Sequence, residues 1–280
     1  MFSYRHAFHA GNHADVLKHA CQSILLNKFK QKNKPFIYID THSGAGVYAL
    51  DAEMASKNKE YVGGIDKLLN INTDNSAINA YLELIRGFRA HNQYPGSPAI
   101  AAKMLREQDK LCLMEWHNNE FDNLRRNMHN DARIACHHRD GYEGVLALTP
   151  PVPARGMILI DPPYELAEDY QKVVKTVTQV QKRWAGGTIA IWYPLLAKQR
   201  DKSQRMLEAL HKSQPSSLYV AELWVKPQPE ELGMYGSGMA FINLPFECDQ
   251  QIEAMLPELD QTLSEQPGSG YRSQWLIQPQ

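Results

Sequence analysis

The chain has 280 residues, 43% of them hydrophobic, enough to bury a large core as one α/β domain or as one domain carrying an insertion. Its formal net charge of −1 lacks the basic excess of a general nucleic-acid binder, which counts against a large non-specific footprint but does not exclude local basic patches. Four widely spaced cysteines form none of the close pairs of zinc or redox motifs, and the longest apolar runs, Met157–Ile160 and Ile189–Trp192, are strand-sized, too short to span a bilayer.

With no signal-like apolar stretch at the N-terminus, a reducing cytoplasmic setting is expected. Three basic clusters stand out: Arg5 to His19 against the single acid Asp15, Arg125 to Arg139, and Lys198, Arg200, Lys202 and Arg205. Taken singly, each reads as a solvated face.

In chain order, Asn12 is placed to cap a helix with Asp15 three residues on, and Val16, Leu17, Ala20, Cys21, Ile24 and Leu25 recur at helical spacing as one buried stripe. Pro35 ends that pattern. Phe36-Ile37-Tyr38-Ile39-Asp40 then reads as a buried strand entering a tight loop of small residues, Ser43-Gly44-Ala45-Gly46. From 47 to 94 polar segments alternate with helical ones, Ile65–Ile71 and Ile78–Phe88, with no convincing strand, so a small inserted helical subdomain is expected between the parts 1–46 and 95–280 of the main domain. Ser97 is placed to cap the next helix, with Pro98 in its first turn. Strands follow at Leu111–Glu115, Ala132–His137, Gly156–Ile160 and Thr188–Tyr193, alternating with helices through Leu124, after Asp140-Gly141, at Tyr170–Trp184 and at Gln199–Lys212. Leu218–Val225 and Gly238–Leu244 complete the sheet with an antiparallel end. This alternation predicts an open, mostly parallel sheet with helices on both faces.

Ligands of such sheets bind beyond the carboxyl ends of the strands, where this sequence puts Asp40, Glu115, Asp140 and Asp161. Gly44-Ala45-Gly46 alone is a weak signal and lacks the lysine of a phosphate-binding loop. A ribose-binding acid belongs about twenty residues after such glycines. Glu115 lies 75 residues beyond Asp40, and 27 once the 48 residues of the insertion are set aside, so it is a candidate for gripping ribose hydroxyls.

Asp161-Pro162-Pro163-Tyr164 is the strong signal. Two prolines stiffen a turn at the end of a core strand and fix where its carbonyls point. An exocyclic adenine amine is a poor nucleophile, because its lone pair is delocalised into the ring. The Asp161 carboxylate and the Pro162 carbonyl are two acceptors for its two hydrogens, an arrangement that aims nitrogen lone-pair density at an electrophilic methyl group. Tyr164 is expected to offer a flat face on which an extruded base stacks.

Asp161-Pro162-Pro163-Tyr164 resembles the catalytic motif of amino-group methyltransferases, and Asp40–Gly46 resembles their cofactor loop. More specifically, Tyr4–His19, Tyr94–Pro98, Leu105–Asp109 and Ile158–Glu165 are similar to the bacterial 23S ribosomal RNA adenine-N6 methyltransferase J family, over essentially the whole chain. Ser43 stands where that loop often has alanine. The resemblance implies a class I methyltransferase (Rossmann-like) fold, a mostly parallel seven-stranded sheet with an antiparallel last strand, and a small helical insertion. It implies S-adenosylmethionine as methyl donor and one adenine of 23S ribosomal RNA, largely protein-free, as substrate. It also carries cofactor contacts onto Lys18, His19, His42, Ser97, Glu115, Asp140, Gly141 and Asp161, the catalytic acceptor role onto Asp161, and a substrate role onto Tyr4. Read from residues alone, Lys18 and His19 are surface positions on an amphipathic helix. Tyr4 and Arg5 suit base stacking and phosphate contact. His6, His9 and His13 have no accompanying cysteine or carboxylate to suggest a metal site, and a monomer is the default. A DNA adenine methyltransferase, or a non-catalytic nucleic-acid binder with the same fold, are the alternatives; the intact Asp161 speaks against the second.

Overall fold

The computed structural model describes residues 6–51 and 58–279, so Tyr4 and Arg5 lie outside the described residues. Its strands in chain order are β1 (Ile37–Asp40), β2 (Val47–Ala49), β3 (Gln93–Pro95), β4 (Lys110–Glu115) and β5 (Ile134–His138). They continue with β6 (Gly156–Ile160), β7 (Thr188–Leu196), β8 (Leu218–Trp224), β9 (Met234–Ile242) and β10 (Gly270–Ile277). Eight of them form one sheet in the order β10-β8-β9-β7-β6-β1-β4-β5. Strands β5, β4, β1, β6 and β7 run parallel, and β9, β8 and β10 continue the sheet antiparallel, each to its neighbour. The chain passes from β1 to β4 and β5 on one side and returns to β6 and β7 on the other. The topological switch point therefore lies between β1 and β6.

This is the class I methyltransferase arrangement with an eighth strand at its edge. Sequence pattern misses β10 because exposed and half-buried residues mix along it, with neither alternation nor a continuous apolar run. It also misses β2 and β3, which pair as a ribbon at the root of the 47–94 segment, since three residues are too few to show a period. Beyond Leu244 a helix at Cys248–Leu263 went unread because Pro257 lies inside it and reads as a breaker. Its apolar side, Ile252, Met255, Leu256, Leu259 and Leu263, is buried nonetheless.

The helices are α1 (His13–Lys30), α2 (Glu60–Gly63), α3 (Ile65–Leu69), α4 (Ser76–Arg89) and α5 (Ser97–Met104). After these come α6 (Asn118–Asn127), α7 (Gly141–Leu148), α8 (Ala167–Arg183), α9 (Ser203–Lys212) and α10 (Cys248–Leu263). Asn12 caps α1 as its spacing suggests, accepting from Ala14 N and Asp15 N at 3.0 Å each. Asp15 reaches back one residue further than a capping box, to Gly11 N at 2.9 Å. The single stripe expected of α1 is wrong: the helix is buried on nearly every side, among β9, α4, α5 and α10. Lys18 and His19 are consequently interior residues. Among the described residues, no helix is long and apolar enough to cross a membrane.

Two apolar clusters cover the two faces of the sheet. One joins α1, α5 and α10 to Ile65, Leu68, Ile78, Tyr81, Leu82 and Ile85 of the 47–94 segment. The other packs α8 and α9 on β6 and β7. Because α4 buries its side chains in the same cluster as α1, Ile85→Ala should cost about 2–5 kcal/mol, as large-to-small changes at fully buried sites do. Urea unfolding followed by far-ultraviolet circular dichroism and by tryptophan fluorescence should shift as one transition; two separate transitions would mean that this segment unfolds on its own.

Candidate active site

Each acid found at a strand end in the sequence sits at the carboxyl edge of the sheet, beside the switch point. Asp40 closes β1 and is fully buried, accepting from Ser97 Oγ at 2.7 Å and Tyr38 OH at 3.2 Å. Burial pushes its carboxyl up to about 6, against the Ser97 hydrogen bond and with the help of the Asp161 charge. Glu115 closes β4 and accepts from Gly44 N at 2.8 Å and His117 N at 2.7 Å, while burial raises its carboxyl above the usual range. Asp140 caps α7 through Oδ1, which accepts from Tyr142 N and Glu143 N at 2.8 and 3.1 Å; Oδ2 takes neither bond. Ser97 does not cap α5 as its place suggests, because Gly96 holds that position and the hydroxyl goes to Asp40 instead.

Two glycines make the wall possible. Gly44 has φ +57°, and a Cβ there would stand 2.3 Å from Tyr48 OH. At Gly141 a Cβ would stand 1.9 Å from Thr41 O, so the start of α7 lies directly against the turn after β1.

Lys18 joins the N-terminal helix to the acidic turn. Its Nζ donates to Asp161 Oδ2 at 2.6 Å and lies 2.9 Å from Asp15 Oδ1 and 5.7 Å from the ring centre of Trp192. Burial opposes its charge, but Asp15 and Asp161 outweigh that and hold the ammonium well above its usual range. Asp15 is also buried, and the charges of His6 and Lys18 overcome burial to hold its carboxyl well below its usual range. His19 points Nδ1 at Tyr94 OH, 2.8 Å away, and burial pushes its imidazole down to about 3. His42 pairs Nδ1 with Thr41 Oγ1 at 2.8 Å and sets its ring edge-on to Tyr142, and burial lowers it to about 4.

Tyr164 is not the stacking surface the sequence suggests. Its ring is buried between Tyr170 and Trp192, and its hydroxyl donates to Trp192 O at 2.8 Å. With φ +50° it holds a backbone conformation that costs a bulky residue on the order of 1–3 kcal/mol, and that packing keeps it there. Tyr164 anchors the end of the Asp161–Tyr164 turn to β7.

The cleft between these elements encloses about 1190 Å³ including its open mouth. Lys18, His19, His42, Ser97, Glu115, Asp140, Gly141, Asp161 and Pro162 all line it. So do Trp116, Trp192, His6 and Lys172, which sequence reasoning did not place there. Trp116 directly follows Glu115 and was legible by adjacency; Trp192 lies mid-strand and carried no signal. His19 Nε2, His117 Nδ1, Tyr142 OH and Trp192 Nε1, on residues lining this cleft, are buried polar atoms without a hydrogen-bond partner among the described residues. Orphaned polar atoms gathered in one cleft are what a polar ligand satisfies. The sign of one pH effect follows. Below pH 6.5 the unfolded chain binds a proton at His19 that the folded chain refuses down to about 3, so His19 lowers stability as pH falls. Between pH 6 and 4, urea unfolding of His19→Asn should show a pH slope smaller by about 1.4 kcal/mol per unit than that of the unmodified chain.

The family described as "Ribosomal RNA large subunit methyltransferase D, RlmJ" matches residues 33–277. The chain is 42% identical to the ribosomal RNA large subunit methyltransferase J of Escherichia coli, over 99% of both chains. It is 40% identical to that of Haemophilus influenzae, again over 99% of both. The crystal structure of protein LPL1258 from Legionella pneumophila superposes with a TM-score of 0.84 at 31% identity, covering 96% of this chain and 98% of that one.

Proposed function

The chain belongs to the ribosomal RNA large subunit methyltransferase J family, and from that premise we propose that its cleft methylates the exocyclic N6 amine of one adenine in 23S ribosomal RNA. The chain is an S-adenosylmethionine-dependent ribosomal RNA methyltransferase. Bound in the cleft, S-adenosylmethionine supplies an electrophilic methyl group. The residues present fit that donor. Glu115 offers carboxylate oxygens to ribose hydroxyls, Asp140 Oδ2 is left for an adenine amine, and Gly141, which lines the cleft, offers its backbone to an adenine ring. Two of the three Lys18 protons go to Asp15 and Asp161, and the third is left for the donor's carboxylate, beside His19 Nε2, which has no hydrogen-bond partner among the described residues. His42 and Ser97 complete that wall.

The observation that carries the adenine reading is the Asp161-Pro162 turn at the switch point, anchored to β7 by Tyr164 and opening on the cleft. Lys18 occupies Asp161 Oδ2 and leaves Oδ1 to accept from one amine hydrogen, while Pro162 O accepts the other. Both acceptors gain strength as positive charge grows on the attacking nitrogen. Tyr4 and Arg5 complete the substrate side of this proposal. The substrate is largely protein-free RNA, extruded one base at a time, and the enzyme works as a monomer in the cytoplasm. Asp161→Asn should lower the single-turnover rate of methyl transfer at saturating S-adenosylmethionine roughly 10²–10³-fold. Near-unchanged turnover would remove Asp161 from the chemistry. Initial rates on protein-free 23S RNA should exceed those on duplex DNA; the reverse order would make the DNA enzyme the better reading.

A further inference from the structure

The third basic cluster of the sequence, Lys198 to Arg205, takes no part in the cleft, and a second pocket opens beside it. It lies between the start of α9 and the antiparallel end of the sheet. Leu195, Trp224, Tyr235 and Arg272, which line it, all stand at the carboxyl edge: Trp224 pairs with Gly270, two residues before Arg272, and Leu195 pairs with Gly236, next to Tyr235. The pocket thus shares one edge with Asp161, which follows β6; Tyr235, Trp224 and Arg272 stand two, three and four strands away. At about 4.8 Å per strand that is roughly 10–19 Å. The same span takes about three to six stacked nucleotides at about 3.4 Å each.

Its walls are built for a flat, polar ligand. Trp224 and Tyr235 are half-buried aromatic side chains. The Arg272 guanidinium is held in one plane by Glu222, with Nε to Oε2 at 2.5 Å and Nη2 to Oε1 at 3.0 Å. Ser203, 1% exposed and first in α9, lines the pocket with a hydroxyl that has no partner among the described residues. Two carboxylates are present and both are engaged. Glu222 also accepts from Tyr193 OH at 2.8 Å, and Asp201 accepts from Ser203 N at 2.7 Å and Leu196 N at 3.1 Å. Asp201 already occupies the helix N-terminus, which argues against a phosphate inside the pocket and for one outside it, at the exposed Arg205 and Arg200. A nucleobase meets these constraints: rings and a guanidinium plane to stack on, and one orphaned hydroxyl for its polar edge.

We propose that this pocket receives a nucleotide of the substrate RNA a few positions from the target adenine, its base against Trp224, Tyr235 and Arg272 and its phosphate at Arg205. The inference rests on the RNA methylation reading above. It is tested by steady-state methylation of protein-free 23S RNA with Arg205→Glu, with Ser203→Ala, and with Lys32→Glu, an equal charge change at an exposed site near the opposite edge of the sheet. Arg205→Glu should raise KM for RNA about five- to tenfold and Ser203→Ala about threefold, with kcat within about twofold. Lys32→Glu should leave KM within about twofold. Ser203→Ala removes a buried hydroxyl that lacks a partner, so its melting temperature should not fall, which separates binding from folding. RNA carrying 4-thiouridine should cross-link to peptides containing Trp224 or Tyr235. Equal KM shifts in Arg205→Glu and Lys32→Glu, or adducts confined to the first cleft, would overturn the proposal. Failure of the unmodified enzyme to methylate any 23S RNA would instead remove the reading beneath it.

Discussion

One ammonium group, Lys18 Nζ, stands between the carboxylates of Asp15 and Asp161 and ties α1 to a turn 143 residues away in sequence. Taking three charges out of water is costly, and their attraction offsets that cost only when the geometry is good and the remaining lone pairs are satisfied. Here they are. Asp15 takes Gly11 N and His6 Nε2 at 2.9 Å each, and Asn12 starts the helix that delivers Lys18. The pair contributes placement more than net stability, setting the N-terminal segment against the acidic turn.

Around that link the cleft is made of strand ends and helix starts. Parallel strands bring their carboxyl ends to one edge, and each acid found there has a second duty in the scaffold. Asp40 binds Ser97, Glu115 holds Gly44, and Asp140 caps α7. Asp140, with Oδ1 engaged by backbone, is fixed in rotamer while Oδ2 takes neither bond, and Glu115 is fixed by a backbone donor on each oxygen, so the site gains rigidity without extra mass.

Much of this was legible in the chain. The apolar runs ending in acids marked β1, β4 and β6, and the glycine spacing pointed to Glu115 once the insertion was set aside. Other parts were not. Tyr164 looked like an exposed aromatic because a turn after Pro-Pro suggests a loop tip, yet its hydroxyl finds Trp192 O and its ring goes inward. Ser97 looked like a cap because the preceding glycine has no side chain to signal with, yet Asp40 took its hydroxyl. The helix at Cys248–Leu263 was hidden by a proline that packing overrides.

Sequence by itself determined the local facts: which segments are strands buried on both faces, where the chain must turn, and which turn carries a rigid acid. Those follow from hydrophobic period and from backbone freedom, both properties of neighbours in the chain. Tertiary structure alone decided which charges are interior. Lys18 and His19 are ordinary polar residues on a helix until α4, α5, α10 and the sheet surround that helix, and only then do Asp15 and Asp161 become their solvent. A charge can be buried only where distant parts of the chain supply its partners, and no local pattern records that meeting.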